Sequence, residues 1–130
     1  MYYLFIRSLL EQSCVVWHSS LTKENSLAIE RVQKCAVFLI LQDQNKSYRS
    51  ALVALQMPTC FERREMLNLS FAQGCLKNNK MSDLFPLNER QYMPTRNQEK
   101  YVVYPAKTQR LASSSVIHMQ HLLNQHQKTQ

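Results

Sequence analysis

The side chains able to do chemistry are few and scattered. Only two of the nine acidic residues are aspartates, Asp43 and Asp83, and neither has an acidic neighbour in sequence. A two-metal polymerase or nuclease needs clustered carboxylates to hold its ions. No local motif supplies them, so metal-dependent phosphoryl transfer by this chain is not expected. His118 and His121 stand three apart on a predicted helix, a spacing that can place two imidazoles on one metal. No Cys or acid lies near them in sequence to complete a set, so a surface pair is the expectation and no metal or cofactor is implied. His18 and His126 stand apart from that pair. Cys14, Cys35, Cys60 and Cys75 form no C-x-x-C pair, and no Cys–His couple with an orienting base is visible. Gly74 is the sole glycine, so there is no glycine-rich phosphate loop. No catalytic residue and no small-molecule substrate are expected.

What remains is positive charge. The chain carries +7, unevenly spread. Residues 1–76 hold eight Lys/Arg against six Asp/Glu, and residues 77–130 hold eight against three. A basic second half points to a polyanion, nucleic acid before membrane. Arginine and lysine on an exposed helical face bind phosphate, and aromatic rings stack on bases. The candidates are Arg31, Lys34, Arg63, Lys77, Lys80, Arg96, Lys100, Lys107 and Arg110. The alternative is an ordinary solvated surface. Tyr101 and Tyr104 are expected to pack against the helical core rather than to stack on bases.

The elements that must position these residues are helical. One glycine and four prolines leave few tight turns, and Leu, Ala, Gln, Lys, Arg and Met favour helix. At 130 residues the chain is one domain at most. A first helix is read from Tyr3 to Trp17, with Ile6, Leu9, Leu10, Val16 and Trp17 on one face. Thr22 is a plausible cap for a second helix over 23–41, with Glu24 in its first turn. Ile29, Val32, Ala36, Leu39 and Ile40 make its apolar stripe, and Arg31 and Lys34 lie opposite. QDQNKS is a polar loop and YRSALVAL a short third helix. Thr59 and Glu62 have the spacing of a capping box, opening a fourth helix over 60–77. SDLFPL makes one turn, residues 88–110 are irregular and basic, and Ser115–Gln125 form a last short helix with Val116, Met119, Leu122 and Leu123 on its stripe.

The fourth helix is apolar over most of its girth, through Phe61, Leu67, Leu69, Phe71, Ala72, Cys75 and Leu76. It is expected to be central. Arg63 falls in its narrow polar sector, whereas Arg64 falls among the apolar positions. A buried guanidinium needs a carboxylate or several carbonyls. Arg64 is therefore expected to be structural, paired with a carboxylate such as Glu30.

The fold class expected is thus all-α: a bundle of about four helices over 1–80, a basic irregular segment over 81–112, a short helix over 113–125 and a disordered tail over 126–130. Cysteines within apolar segments behave as small hydrophobes, which fits a reducing intracellular compartment, nuclear or cytoplasmic. Arg7 and Glu11 interrupt the apolar N-terminus, so it does not read as a signal peptide. No window approaches 18 uncharged apolar residues, so no membrane span is expected.

Read in order, the segments FIRSLLEQSCVVW, LAIERVQKCAVFLI, YRSALVALQMPTCFERREML and AKTQRLASSSVIHMQHLLN resemble the C-terminal region of reverse transcriptases of LINE-type, jockey-like non-LTR retrotransposons. The shared pattern is an Ile-Arg start and Val-Trp end, a Glu-Arg-Val-Gln stretch, an Arg-Arg pair opening a helix, and a closing Thr-x-Arg with Leu-Leu-Asn. Ile29 stands where Leu is usual, and Ile117-His118 where the family often has Ile-Pro. The resemblance runs over about residues 3–124. It implies a helical thumb-like module that follows the fingers and palm and helps to hold a template–primer duplex, RNA–DNA or DNA. The palm's paired catalytic aspartates are not in this chain, so the resemblance implies a non-catalytic fragment whose partner is an upstream palm. The competing reading is a small helical protein-interaction module, or an inactive relic, with no nucleic-acid role.

Overall fold

The computed structural model describes residues 2–42, 47–88 and 99–128. Among them the chain is all-α: a π-helical turn (Tyr2–Ile6), α1 (Arg7–Glu11), α2 (Cys14–Trp17), a 3-10 turn (His18–Ser20), α3 (Lys23–Leu41), α4 (Tyr48–Ala54), α5 (Cys60–Lys77), a 3-10 turn (Ser82–Leu84), α6 (Gln109–Ala112) and α7 (Ser115–Lys128). It divides into two compact units, Met1–Leu67 and Asn68–Gln130, with the division inside α5.

The long helices begin where their caps are. The Thr22 hydroxyl accepts from the Asn25 N–H at 3.2 Å, starting α3 at Lys23. At α5 the box is reciprocal: Glu62 N–H donates to Thr59 Oγ1 at 3.2 Å, and Thr59 N–H donates to the Glu62 carboxylate at 3.0 Å. Each cap satisfies backbone donors that have no intrahelical partner.

In the first unit, Ala36 and Val37 of α3, Ala51 and Leu52 of α4, Met57 and Tyr2 form the apolar core, with Leu41, Tyr48 and Leu55 against it. Two expectations fail here. The first helix is broken, because Ser13 adopts φ 52° between α1 and α2. A non-glycine residue in that region is strained. The Trp17 indole N–H donating to Gln12 O at 2.8 Å and Val16 N–H donating to Ser13 O at 2.9 Å hold the break in place. Its expected apolar face is not packed either: Leu9 and Val16 are exposed, while Tyr2, Cys14 and His18 are buried.

The second failure is the face of α3. The buried side is Gln33, Ala36 and Val37, and Val32, Leu39 and Ile40 are exposed, Leu39 at 79%. Polar side chains with internal partners decide this. The Gln33 amide donates to Pro58 O at 3.0 Å and its oxygen accepts from the Cys60 thiol. The buried Gln33 amide thus has the partners that a polar group in the interior requires.

The second unit is held by side-chain amides. Residues 86–88 and 100–102 run antiparallel through a single bridge, Leu87 with Tyr101. Asn88 N–H donates to Lys100 O at 2.8 Å, and Val102 N–H donates to Pro86 O at 2.9 Å. On the far side of this short ribbon lies α7. Its Gln120 accepts from Tyr104 N–H at 3.2 Å and donates to Leu84 O at 2.8 Å. Asn124 engages Tyr101 in the same manner. Gln120 and Asn124 are four residues apart and so share one helical face. Around them Phe85, Tyr101, Ile117, Met119 and Leu123 are buried. Helix α7 continues to Lys128, through residues expected to belong to a disordered tail.

Candidate nucleic-acid interface

Helix α5 presents the buried series Cys60, Arg64, Asn68, Ala72 and Cys75, one side of a helix by spacing. It is more polar than expected, and Phe61 and Phe71 stand outside it, both about half exposed. Arg64 is 1% exposed. Its Nε donates to His18 Nδ1 at 3.2 Å and a terminal nitrogen donates to Ser26 Oγ at 3.1 Å. Its guanidinium carbon lies 5.8 Å from the Trp17 ring centroid. These contacts are with groups other than Glu30, the carboxylate expected beside Arg64. Glu30 is engaged elsewhere, accepting from Tyr48 OH at 2.6 Å and from Cys60 N–H at 3.1 Å. An acceptor role at Nδ1 means that this His18 nitrogen carries no proton.

This interior pushes protons onto its acids. Burial first, then the neighbouring Glu30 charge, raises the Cys60 thiol to about 12. Burial and the hydrogen bond to Glu30 raise the Tyr48 phenol. Burial raises Cys14. All four cysteines are free thiols, and only Cys35 is exposed. Neither Cys14 nor Cys60 resembles an activated nucleophile, which requires a lowered pKa.

The cations predicted to touch nucleic acid lie at the surface. Arg31 and Lys34 are exposed on α3. Arg63 is more constrained than the sequence implied: its Nε donates to Glu11 at 3.2 Å, and Glu11 also pairs with Arg7 at 2.7 Å. In the second unit Lys77, Lys80, Lys100, Lys107 and Arg110 are exposed. Arg96 lies outside the described residues. Tyr101 is buried, as packing of the tail requires, whereas Tyr104 is largely exposed. The Lys100 ammonium lies 5.8 Å from the Tyr101 ring centroid.

One feature of the first unit has no counterpart among the sequence candidates. An open groove of about 630 Å³ has Leu27, Leu52 and Phe61 among its apolar lining, Glu30 and Tyr48 within it, and Lys23 and Arg49 exposed along it. The Phe61 ring meets His18 at 5.3 Å between centroids, tilted by 58°. Lys23 and Arg49 are more than twenty residues apart, so no local pattern joins them. The one sequence signal was Phe61, an aromatic at the second position of a capped helix.

Among the described residues no helix is long and apolar enough to cross a membrane. No family model, curated protein or solved structure matches this chain.

Proposed function

We propose that this chain is a non-catalytic helical module that grips a nucleic-acid duplex, the thumb-like part of a LINE-type reverse transcriptase. The supporting observation is how its charges are divided. Three carboxylates of the first unit have internal partners, Glu11 in Arg7 and Arg63, Glu30 in Tyr48 and Cys60, and Glu62 in its own helix cap, while Glu24 stays exposed. Arg31 and Lys34 stay exposed one turn apart on a 19-residue helix. The second unit adds eight Lys/Arg against three Asp/Glu. Exposed cations in excess of exposed acids suit a phosphate backbone, and each phosphate neutralised releases counterions.

The test is binding to an RNA–DNA hybrid and to duplex DNA across a salt series, beside a variant with Arg31, Lys34 and Arg63 changed to Glu. Tight binding with a steep salt slope, lost in the variant, supports the reading. Weak or salt-indifferent binding rejects it.

A second reading has its own observation. Leu27, Val32 and Leu39 lie exposed on α3, and Leu9 and Val16 are more than 70% exposed. Apolar residues in such numbers mark a surface that another protein covers. An upstream palm is the partner that the first reading supplies; a separate protein partner is what the second requires.

A further inference from the structure

The groove of the first unit combines four kinds of group around one space. Phe61 offers an exposed ring, backed by His18 at 5.3 Å. Lys23 and Arg49 are exposed cations on two different helices, and among the described residues neither has an acidic partner. The Glu30 carboxylate lies in the wall: Oε1 accepts from Tyr48 OH at 2.6 Å and from Cys60 N–H at 3.4 Å, and Oε2 accepts from the same Cys60 N–H at 3.1 Å. A carboxylate has about four lone-pair directions, so Oε2 keeps accepting capacity. The space, about 630 Å³, is of the size that holds a small aromatic ligand.

We infer that this groove takes one unpaired nucleotide of a single strand, with preference for a base carrying an exocyclic amino group. The base stacks on Phe61, a contact open to any base. The flanking phosphates meet Lys23 and Arg49. Glu30 accepts from the amino group, as a carboxylate does from cytosine N4, and it offers nothing to the carbonyl that uracil presents there. The inference rests on the nucleic-acid reading above but uses none of its residues. A duplex grip on Arg31 and Lys34 and a single-strand pocket on Phe61, Lys23 and Arg49 are separable.

The experiment measures anisotropy of fluorescein-labelled cytidine and uridine RNA octamers with the full chain. The cytidine octamer should bind at least about fivefold more tightly. Phe61→Leu keeps the apolar bulk but removes the ring, and should weaken both octamers by about fivefold or more. Lys23→Glu with Arg49→Glu should weaken both and flatten the salt slope. Glu30→Gln should erase the preference for cytidine. Glu30 also holds Tyr48 and Cys60, so Phe61→Leu and the surface pair carry the test if that variant fails to fold. Equal binding of the two octamers, or binding indifferent to Phe61→Leu and to the charge reversals, overturns the inference. Octamer binding that passes these tests beside an absent duplex grip would reject the thumb reading and leave the pocket standing.

Discussion

Asn124 engages both backbone polar groups of Tyr101: its amide nitrogen donates to Tyr101 O at 3.0 Å, and its amide oxygen accepts from Tyr101 N–H at 3.0 Å. A single side chain thereby stands in for a neighbouring strand on the edge of this stretch opposite residues 86–88. Both partners are buried, so water cannot replace either bond. Asn124→Leu should cost about 2 kcal/mol or more. The loss should appear in hydrogen exchange as lost protection at the Tyr101 amide, with the α3 amides of the other unit unchanged.

Adjacent arginines on α5 should behave very differently. Arg64→Ala leaves His18 Nδ1 and Ser26 Oγ without their donor inside the protein. It should destabilise by about 3 kcal/mol, read by urea denaturation. Arg63 is 35% exposed and shares its carboxylate with Arg7. Arg63→Ala should cost well under about 1 kcal/mol, since solvent screens such a pair.

Alkali should weaken the fold earlier than surface titration requires. Cys60 has an ordinary pKa of 9.0, raised to about 12 in the native state. Between those values the unfolded chain releases a proton that the folded chain keeps. The contribution is complete below pH 9.0 and is lost as pH rises towards about 12. The upward shifts of Tyr48 and Cys14 act in the same direction. Thermal unfolding between pH 8 and 11 should fall more steeply for the native chain than for Cys60→Ser. At neutral pH a thiol reagent should label exposed Cys35 first and the three buried cysteines only with unfolding.

One substitution should stabilise. Gly74 lies within α5, and a Cβ placed there would meet nothing within 4 Å. Gly74→Ala removes backbone freedom from the unfolded chain without a clash. It should add about 0.5–1 kcal/mol, seen as a higher Tm.

The starts of α3 and α5 were legible because Thr22 and the Thr59–Glu62 box are local devices. Side-chain directions were less so. Gln33 takes a core position from Val32 through partners 25 and 27 residues away, which periodicity does not register. Ser13 breaks the first helix with no glycine or proline to announce it. The placement of Arg64 in the interior was readable from the apolar positions around it. Its partners were not, because His18 and Ser26 reach it from elsewhere in the chain. The groove was hidden for the same reason: Lys23, Arg49 and Phe61 become neighbours only after folding.

The amide clamp also orders events in time. Leu84, Tyr101 and Tyr104 leave the ribosome before Gln120 and Asn124, the side chains that satisfy their backbones. Until α7 is synthesised, this extended stretch carries open hydrogen-bonding groups beside Phe85 and Tyr101. A chain truncated before residue 120 would leave those groups open, a ready template for strand pairing with neighbouring molecules.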